Sequence, residues 1–173
     1  MATVVKQPSE IRDLSFNLAA LIAQGATLMS AAAFACRNLT PPLTTTLAAA
    51  ASIDATTLSL TVNPGVGARV IVNPSGGTEE SFKVSAISGT GPFTATITPS
   101  VEFSHSSGET CNYHPGASTR VLTSTVAVIS GTQAIFRLRR GTSGQTYTVS
   151  VIGVCSNGEE IEDEVTVTIT DIY

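Results

Sequence analysis

The sequence has few of the residues that charge a protein surface or stack on a ligand. Among 173 residues there is no Trp, aromatic residues make up 5% and charged residues 13%, about half the charged share usual in globular proteins. Nine basic and thirteen acidic residues give a net charge of -4, which argues against a general nucleic-acid binder. With 42% hydrophobic residues, the chain is also too apolar and too weakly charged for a disordered protein.

No segment has the composition of a membrane anchor or an export signal. The stretch 14–36 is about long enough to span a bilayer, but Asn17, Gln24 and Gly25 interrupt it and most of the remainder is Ala. Glu10 and Asp13 precede the apolar part, where a signal peptide requires positive charge. We therefore expect no membrane contact and a protein made in a reducing cytosol.

Cysteine is scarce and its spacing is uninformative. Cys36, Cys111 and Cys155 form an odd set without a CxxC pair, so we expect three buried free thiols that act as small hydrophobes. A disulfide between Cys36 and Cys155 stays open as an alternative. A metal site that joins Cys111 to His105 and His114 matches no standard zinc spacing. We expect no metal and no cofactor.

Catalytic motifs are not found in the sequence. His105 and His114 are the only histidines, and Ser104, Ser106 and Ser107 flank the first. Neighbouring positions in sequence do not create a Ser–His pair in space, and no nucleophile-elbow motif accompanies them. The glycines mark turns rather than a phosphate-binding loop. We expect a protein that is not an enzyme, with both histidines in polar loops.

Thr, Val and Ile are abundant, and Ser and Thr together form about a quarter of the chain; such residues favour strands. In the C-terminal third, apolar residues alternate along 146–155 and 160–170, with an Asn157-Gly158 turn between them. Two shorter strands are predicted at 120–128 and 133–138. Four strands in about fifty residues, joined by tight turns, is the spacing of a β-sandwich.

The N-terminal and middle regions differ in character. We predict strands at 14–18 and 27–37, while 19–23 fits a helix equally well. The middle region lies between Pro41-Pro42 and the segment 115–118, and both flanks have linker composition. Between them, turns rich in Gly, Asn and Pro separate five predicted short strands, at 57–62, 68–72, 81–87, 93–98 and 109–113. The sequence thus predicts an all-β fold: one sandwich from 1–39 and 119–173, interrupted by a small β-barrel or sandwich at 40–118.

The sparse charge is concentrated in two places. Five of the thirteen acids lie within six residues, and three arginines lie just upstream: Glu159, Glu160, Glu162, Asp163 and Glu164, and Arg137, Arg139 and Arg140. The acidic stretch fits three alternatives: a calcium site, a strand start that solvates a hairpin tip and discourages edge pairing, or a contact with a basic partner. The arginines could pair with these acids within one chain. We favour a contact between identical subunits in a ring, because one basic and one acidic patch make a heterologous contact that can close.

Both ends of the chain resemble a known family. The run Val5-Lys-Gln-Pro-Ser-Glu-Ile-Arg-Asp-Leu-Ser-Phe16, followed by Leu21-Ile-Ala-Gln-Gly-Ala-Thr-Leu28, resembles the opening of tailed-bacteriophage fiber-tail adaptor proteins. The run Leu138-Arg-Arg-Gly-Thr-Ser-Gly-Gln-Thr-Tyr-Thr-Val149 is similar to their Leu-Ser-Gly-Gly-x-x-Gly-x-x-Tyr-x-Val, with Arg139-Arg140 in place of Ser-Gly. Within it, Gly144 and Tyr147 also resemble the tyrosine corner of immunoglobulin-like domains.

The resemblance covers about half the chain and leaves out the middle region. There, Glu79-Glu80 and His105-x-x-Gly108 resemble small β modules of other phage tail proteins. The family implies an immunoglobulin-like sandwich, a virion location after assembly in the bacterial cytoplasm, and a connecting role without catalysis. We therefore expect a homo-oligomeric adaptor that joins the tail or neck to a fibre or a neighbouring ring component.

Two alternative functions stay open. The first is a module that binds host-surface carbohydrate, which would need exposed aromatic residues to stack on sugar rings. The middle region offers only four aromatic side chains, and its three phenylalanines fit core positions: Phe82, Phe93, Phe103 and Tyr113. The second is a capsid decoration protein with the same fold.

Overall fold

The chain is all-β in the ranges that the computed structural model describes, residues 2–7, 10–116 and 123–170, as the sequence predicts. These ranges hold thirteen strands: β1 Ala2–Lys6, β2 Arg12–Asn17, β3 Leu28–Arg37, β4 Leu43–Thr46, β5 Thr57–Leu60, β6 Arg69–Val72, β7 Glu80–Ser88, β8 Phe93–Thr98, β9 Thr110–His114, β10 Thr123–Ser130, β11 Gln133–Arg139, β12 Thr146–Cys155 and β13 Glu160–Ile169. Residues 117–122, which include the start of the strand predicted at 120–128, lie outside the described ranges.

The chain forms two compact units. The sandwich unit comprises Met1–Ala35 and Ser118–Tyr173, and the inserted unit comprises Cys36–Ala117. The sequence placed these boundaries after residues 39 and 118. The first boundary of the structure falls four residues before the expected position and the second falls one residue before it.

The sandwich unit consists of two sheets, with strand orders β1-β13-β12-β3 and β10-β11-β2. Strand β1 runs parallel to β13, whereas β12–β13, β10–β11 and β11–β2 are antiparallel pairs. Of its seven strands in chain order, the second, fourth and fifth share one sheet and the first, third, sixth and seventh share the other. This is the arrangement of an immunoglobulin-like sandwich, and the inserted unit occupies the connection between β3 and β10.

The core of the sandwich unit follows from period-two alternation. Leu14 and Phe16 of β2 and Phe136 of β11 are buried, because side chains at alternate positions point to the same face. The rings of Phe16 and Phe136 meet edge to face, with centroids 5.9 Å apart, an arrangement that the aromatic quadrupole favours. Along β13, Ile161 and Val165 are buried while acidic residues alternate with them, as predicted.

The inserted unit is a single six-stranded antiparallel sheet in the order β4-β9-β6-β7-β8-β5. A bridge between Leu47 and Leu60 joins the two edge strands, so the sheet curls into a small barrel around a core that includes Val70 and Phe82. The five predicted strands are present. The sixth, β4, was not predicted, because its Thr-rich sequence follows two prolines and has linker composition.

Two features of the N-terminal region differ from the sequence analysis. Residues 19–23 form a turn, in which the amides of Leu21 and Ile22 both donate to the carbonyl of Leu18, rather than the helix left open above. Strand β1, which was not predicted, pairs Ala2–Lys6 with the end of β13. Its five residues are too few to show a hydrophobic period.

Candidate functional site

His105 and two glutamates form a hydrogen-bonded cluster at one end of the barrel in the inserted unit. The His105 ring is buried, with Nε2 2.6 Å from Oε2 of Glu80 and Nδ1 3.1 Å from Oε2 of Glu109. Each ring nitrogen thus lies within hydrogen-bond distance of a carboxylate. His105 lies in the loop between β8 and β9, as predicted, but its ring is buried. The sequence could not show this burial, because Glu80 lies 25 residues away.

The Glu80 carboxylate also fixes the loop that carries the ring. Its two oxygens accept hydrogen bonds from the backbone amides of Glu102 (2.7 Å) and Phe103 (3.1 Å). Glu109 similarly accepts from the amide of Ser106 at 3.0 Å. Two side chains, Glu80 of strand β7 and Glu109 at the end of the loop, therefore satisfy three backbone donors that the loop would otherwise leave without partners.

The same loop is bonded to a second loop along its length. His105 and Ala51 exchange two backbone hydrogen bonds, the Asp54 amide donates to Val101 (2.7 Å), and the Val101 amide donates to Ala55 (3.0 Å). Backbone hydrogen bonds therefore join the segments 51–55 and 101–105 at both ends, and Ala51 and His105 form an isolated antiparallel bridge. Ile53 and Phe103 occupy the centres of the two segments, and both side chains are exposed.

The exposure of Phe103 corrects a second prediction. Phe82 is fully buried and Phe93 is partly buried, but Phe103 exposes 45% of its surface. The sequence did not separate them because Phe103 follows Val101 at the period-two spacing of a strand, whereas the structure has an irregular loop there.

The cluster does not have the geometry of a hydrolase. Both nitrogens of His105 face carboxylates, so neither is paired with Ser104, Ser106 or Ser107 in the structure. The Ser107 hydroxyl donates instead to the carbonyl of Ala48 at 3.2 Å. The arrangement can hold a loop rigidly, but it does not activate a nucleophile.

The second histidine occupies a different environment. His114 ends strand β9 opposite Arg69 of β6, and its Nδ1 accepts a hydrogen bond from the Leu39 amide at 3.2 Å. Burial and the Arg69 charge lower the pKa of His114 below its ordinary value of 6.5. An accepting Nδ1 agrees with a neutral ring. The polar-loop prediction is wrong for His114, because this residue belongs to strand β9.

The arginines and the acidic stretch lie on different sheets of the sandwich unit. Arg137 of β11 pairs with Asp13 of β2, directly opposite in register, through bonds of 2.8 and 3.0 Å. Arg139, the last residue of β11, is exposed. Arg140 adopts a positive φ of 65°. The intramolecular partner of Arg137 is thus Asp13, and not the acidic stretch that the sequence analysis had considered.

The acidic stretch forms one side of the β12–β13 hairpin. Glu159, Glu160, Glu162 and Asp163 are exposed, whereas Glu164 is partly buried and accepts from the Ser150 hydroxyl at 2.6 Å. Asn157 donates to the Glu159 carboxylate at the hairpin turn. The residues alternate around buried Ile161 rather than converging on one point.

No metal site is present within residues 2–7, 10–116 and 123–170, where no three His, Cys, Asp or Glu side chains could hold an ion together. The Glu80–His105–Glu109 cluster does not qualify, because its ring lies between the two carboxylates. The three cysteines are buried and free, as predicted, and the alternative disulfide is not formed. Burial raises the pKa of the Cys111 thiol to about 12, with a further contribution from the Glu109 charge.

The tyrosine corner has the expected contacts. Tyr147 is fully buried, and its hydroxyl oxygen accepts a hydrogen bond from the Thr142 amide at 3.4 Å. Gly144 lies in the intervening turn with φ of +76°, a conformation that glycine adopts without strain. Both residues shape the entrance to β12.

A buried lysine, which the sequence analysis missed, joins the two ends of the sandwich unit. Lys6 is 1% exposed, and its Nζ donates to the carbonyls of Gln7 and Arg140, both at 2.7 Å. Burial lowers the pKa of Lys6, while the charge of Glu10 opposes that shift. In the sequence, Lys6 follows the pair Val4-Val5 and belongs to the first resembling motif, and neither feature indicates burial.

A groove of about 360 Å³ opens along the sandwich unit beside the edge strand β2. Apolar side chains of β1, β2 and β13 line it together with two carboxylates: Val4, Leu14, Phe16, Val165, Asp163 and Glu164. The acidic stretch 159–164 and the three arginines of 137–140 supply eight charged residues. Only Asp163 and Glu164 of these line the groove.

Comparison of the chain with protein-family models, with curated proteins and with solved structures finds no match. Among the described residues, no helix has the length and apolar character needed to cross a membrane.

Proposed function

We propose that the protein is a structural virion component of a tailed bacteriophage, an adaptor that joins the tail or neck to a fibre or to a neighbouring ring component. In this proposal it acts by binding other phage structural proteins and catalyses no reaction. One observation carries it: the two terminal segments that resemble the fiber-tail adaptor family form a single sandwich, although more than a hundred residues separate them in sequence.

The residues of the resembling motifs support the proposal by their contacts with each other. Lys6 of the first motif donates to the carbonyl of Arg140 in the second. Asp13 of the first motif pairs with Arg137, which immediately precedes the second. Motifs that are far apart in sequence and meet in one folded unit are more informative than either motif alone.

The composition of the chain is consistent with a packing role. A surface rich in Ser and Thr has a lower desolvation cost on burial than one rich in Lys and Glu, and charged residues are depleted at the cores of interfaces. The inserted unit adds a rigid loop that exposes Phe103. An adaptor needs such preformed surfaces because it contacts several neighbours at once.

The proposal is tested on phage particles from the bacterial strain that carries the gene. Antibodies against the purified protein, coupled to gold, should label purified particles at the neck or along the tail. Particles made without the protein should lack fibres or the neighbouring ring. Purified particles that contain none of this protein by mass spectrometry would refute the proposal, and label confined to the capsid would favour the decoration alternative.

The carbohydrate-binding alternative gains support from the exposed Phe103, since an exposed ring can stack on a sugar. Its discriminating experiment is titration of the protein with polysaccharide from the host surface. Saturable binding that the Phe103→Ala variant loses would favour this alternative, while absence of binding leaves the adaptor proposal preferred.

A further inference from the structure

The groove of the sandwich unit has a free strand edge as one of its walls. Strand β2 pairs with β11 on one side, and no strand of the described ranges pairs with its other side. The Leu18 amide donates to the carbonyl of Thr132, which immediately precedes β11. By alternation, the backbone groups of Phe16 also face β11, and those of Ser15 and Asn17 face away from it. Ser15 and Asn17 both line the groove, so their amides and carbonyls are open to a further strand.

The opposite wall of the groove is the inner face of the other sheet. Val4 of β1 and Val165 of β13 line it. Their register partners, Val167 and Val149, are fully buried, so all four side chains point to the core. A strand added to the edge of β2 would lie about 10 Å from this wall and would point every second side chain at it. Next to the two valines, those side chains must be apolar.

One charged side chain interrupts this apolar wall. Asp163 comes two residues before Val165, in the phase of β13 that faces the core, and its register partner Val151 is fully buried. Asp163 is nevertheless exposed and lines the groove. In the described part of the chain its side chain makes one polar contact, in which Oδ1 accepts from the Glu164 amide at 2.8 Å. The carboxylate thus has no cation partner among the described residues.

Asp163 determines which kind of strand the groove accepts. An inward-facing charge discourages an apolar strand from pairing at a sheet edge, because the charge would lose water without gaining a partner. A strand with Lys or Arg at the facing position avoids this cost and adds a charge-assisted hydrogen bond. Arg12 of β2 does not fill that role, since its guanidinium donates to the Val5 carbonyl and it does not line the groove.

We propose that the groove binds an extended segment of a partner protein, which adds as a strand to β2 and places a Lys or Arg on Asp163. The inward side chains on either side of this basic residue are apolar and pack on Val4 and Val165. Main-chain hydrogen bonds to Ser15 and Asn17 supply affinity, and the alternate side chains supply specificity. The inference rests on the proposed function in naming a protein as the partner, because an adaptor must bind its neighbours, but its experiment needs no phage.

The probe is the fluorescein-labelled peptide Thr-Val-Thr-Lys-Thr-Val-Thr, whose Val and Lys side chains share one face when it is extended. Titration with the purified full chain should give a saturable rise in fluorescence anisotropy, with a dissociation constant below about 1 mM. The bound peptide should also slow amide hydrogen exchange at Ser15 and Asn17. Exchange at Phe16 should not change, because its amide already faces β11.

Charge reversal is the decisive comparison. Asp163→Lys should weaken binding of the Lys peptide by about 10-fold. The same variant should bind the peptide with Glu in place of Lys, which the wild-type chain should not bind. Glu160→Lys is the matched control, because Glu160 is an exposed acid of the same strand that does not line the groove, and it should bind the Lys peptide as the wild type does. Circular dichroism verifies the fold of both variants.

A second pair of probes tests the main-chain contacts. Two Lys peptides carry N-methyl groups on alternate amides, one on the odd-numbered and the other on the even-numbered residues. Strand addition uses the amides along one edge of the peptide only. One methylated peptide should therefore lose binding while the other retains it.

Four results would overturn the proposal: no binding of the Lys peptide, equally tight binding of a peptide with Leu in place of Lys, no exchange of preference on charge reversal, or the same behaviour of both methylated peptides. None of these would affect the adaptor proposal, whose test is the presence of the protein on particles. Conversely, a protein that binds the Lys peptide as expected but is missing from particles would keep its strand-binding groove and lose the adaptor role.

Discussion

At the scale of single residues, His114 couples the stability of the inserted unit to pH. Burial and Arg69 lower its pKa in the folded state below the ordinary value of 6.5, so the unfolded chain binds the proton more readily. The contribution of the neutral ring is complete above pH 6.5 and is lost as the pH falls through 6.5 toward the folded pKa. We expect the unfolding midpoint in urea to drop between pH 7.5 and pH 5.5 (about one unit either side of the ordinary pKa).

A variant isolates this effect from other titrating groups. In His114→Gln the side-chain carbonyl can still accept a hydrogen bond, but it does not titrate, so the midpoint should change less over the same pH interval. An identical pH dependence of wild type and His114→Gln would show that His114 is not responsible.

The cysteines give a prediction about reactivity. Cys111 is fully buried with a pKa raised to about 12, and the thiolate is the reactive species. Cys36 and Cys155 are also buried. We expect a chromogenic disulfide reagent to label no thiol of the native protein quickly, and to label all three after denaturation. The reaction is run at about pH 8, which is roughly the ordinary thiol pKa. Rapid labelling of Cys111 in the native protein would contradict its burial.

At the scale of elements, the hydrogen bonds of the Glu80 carboxylate determine how rigid the 101–109 loop is. Glu80→Ala removes the carboxylate that accepts from the amides of Glu102 and Phe103. It also removes the hydrogen-bond partner of His105 Nε2. Without that acceptor the two amides, which belong to exposed residues, open to solvent more readily. Amide hydrogen exchange at Glu102 and Phe103 should therefore become faster, with lower stability of the inserted unit.

Glu79→Ala is the neighbouring control for this experiment. Its carboxylate accepts from the Ser75 amide within the 73–79 turn, so exchange should change in that turn and not at Phe103. Unaltered exchange at Phe103 in Glu80→Ala would mean that the backbone pairing with 51–55 is sufficient to hold the loop.

A second element-scale contact is the Lys6 clamp, which ties β1 to the turn after β11. Lys6→Met keeps the apolar stem but removes the donor to the carbonyls of Gln7 and Arg140. Hydrogen bonds from a charged group contribute about 1.5–3 kcal/mol, so we expect a loss of that size in the unfolding free energy of the sandwich unit. Lys83→Met is not a suitable control because Lys83 is buried too; Arg139→Met, at an exposed position, should be nearly neutral.

The sequence predicted elements well where residues alternate between two environments. The strands β11 and β13 follow from such a period, whereas β12, predicted from the same pattern, buries residues of both faces, Thr148 and Ser150 included. Strand β4 was not predictable in this way, because Leu43–Thr46 contains one apolar residue and three threonines. Its pairing depends on β9, whose residues lie more than sixty positions away.

The candidate sites were harder to predict than the fold. Glu80 and His105 are ordinary polar residues in sequence, and only the barrel brings them within 2.6 Å. The pairing of Arg137 with Asp13 likewise depends on the register of β2 and β11. Local sequence carries the hydrophobic period, while the identity of polar partners is set by long-range strand pairing.

At the scale of the whole molecule, the two units have separate cores, which has a consequence for unfolding. Phe82 lies in the core of the inserted unit, and Phe136 contacts Phe16 in the sandwich unit. Chains with more than one core often unfold in more than one step. We therefore expect calorimetry to resolve two transitions, each belonging to one unit.

Core truncation assigns the transitions. Replacing a buried Phe by Ala costs about 3–5 kcal/mol, and this loss should fall on the unit that contains the residue. Phe82→Ala should lower one transition temperature and leave the other in place, and Phe136→Ala should do the reverse. A single transition that both variants lower equally would show that the two units unfold together. In that case neither unit would be stable independently of the other, although each is compact.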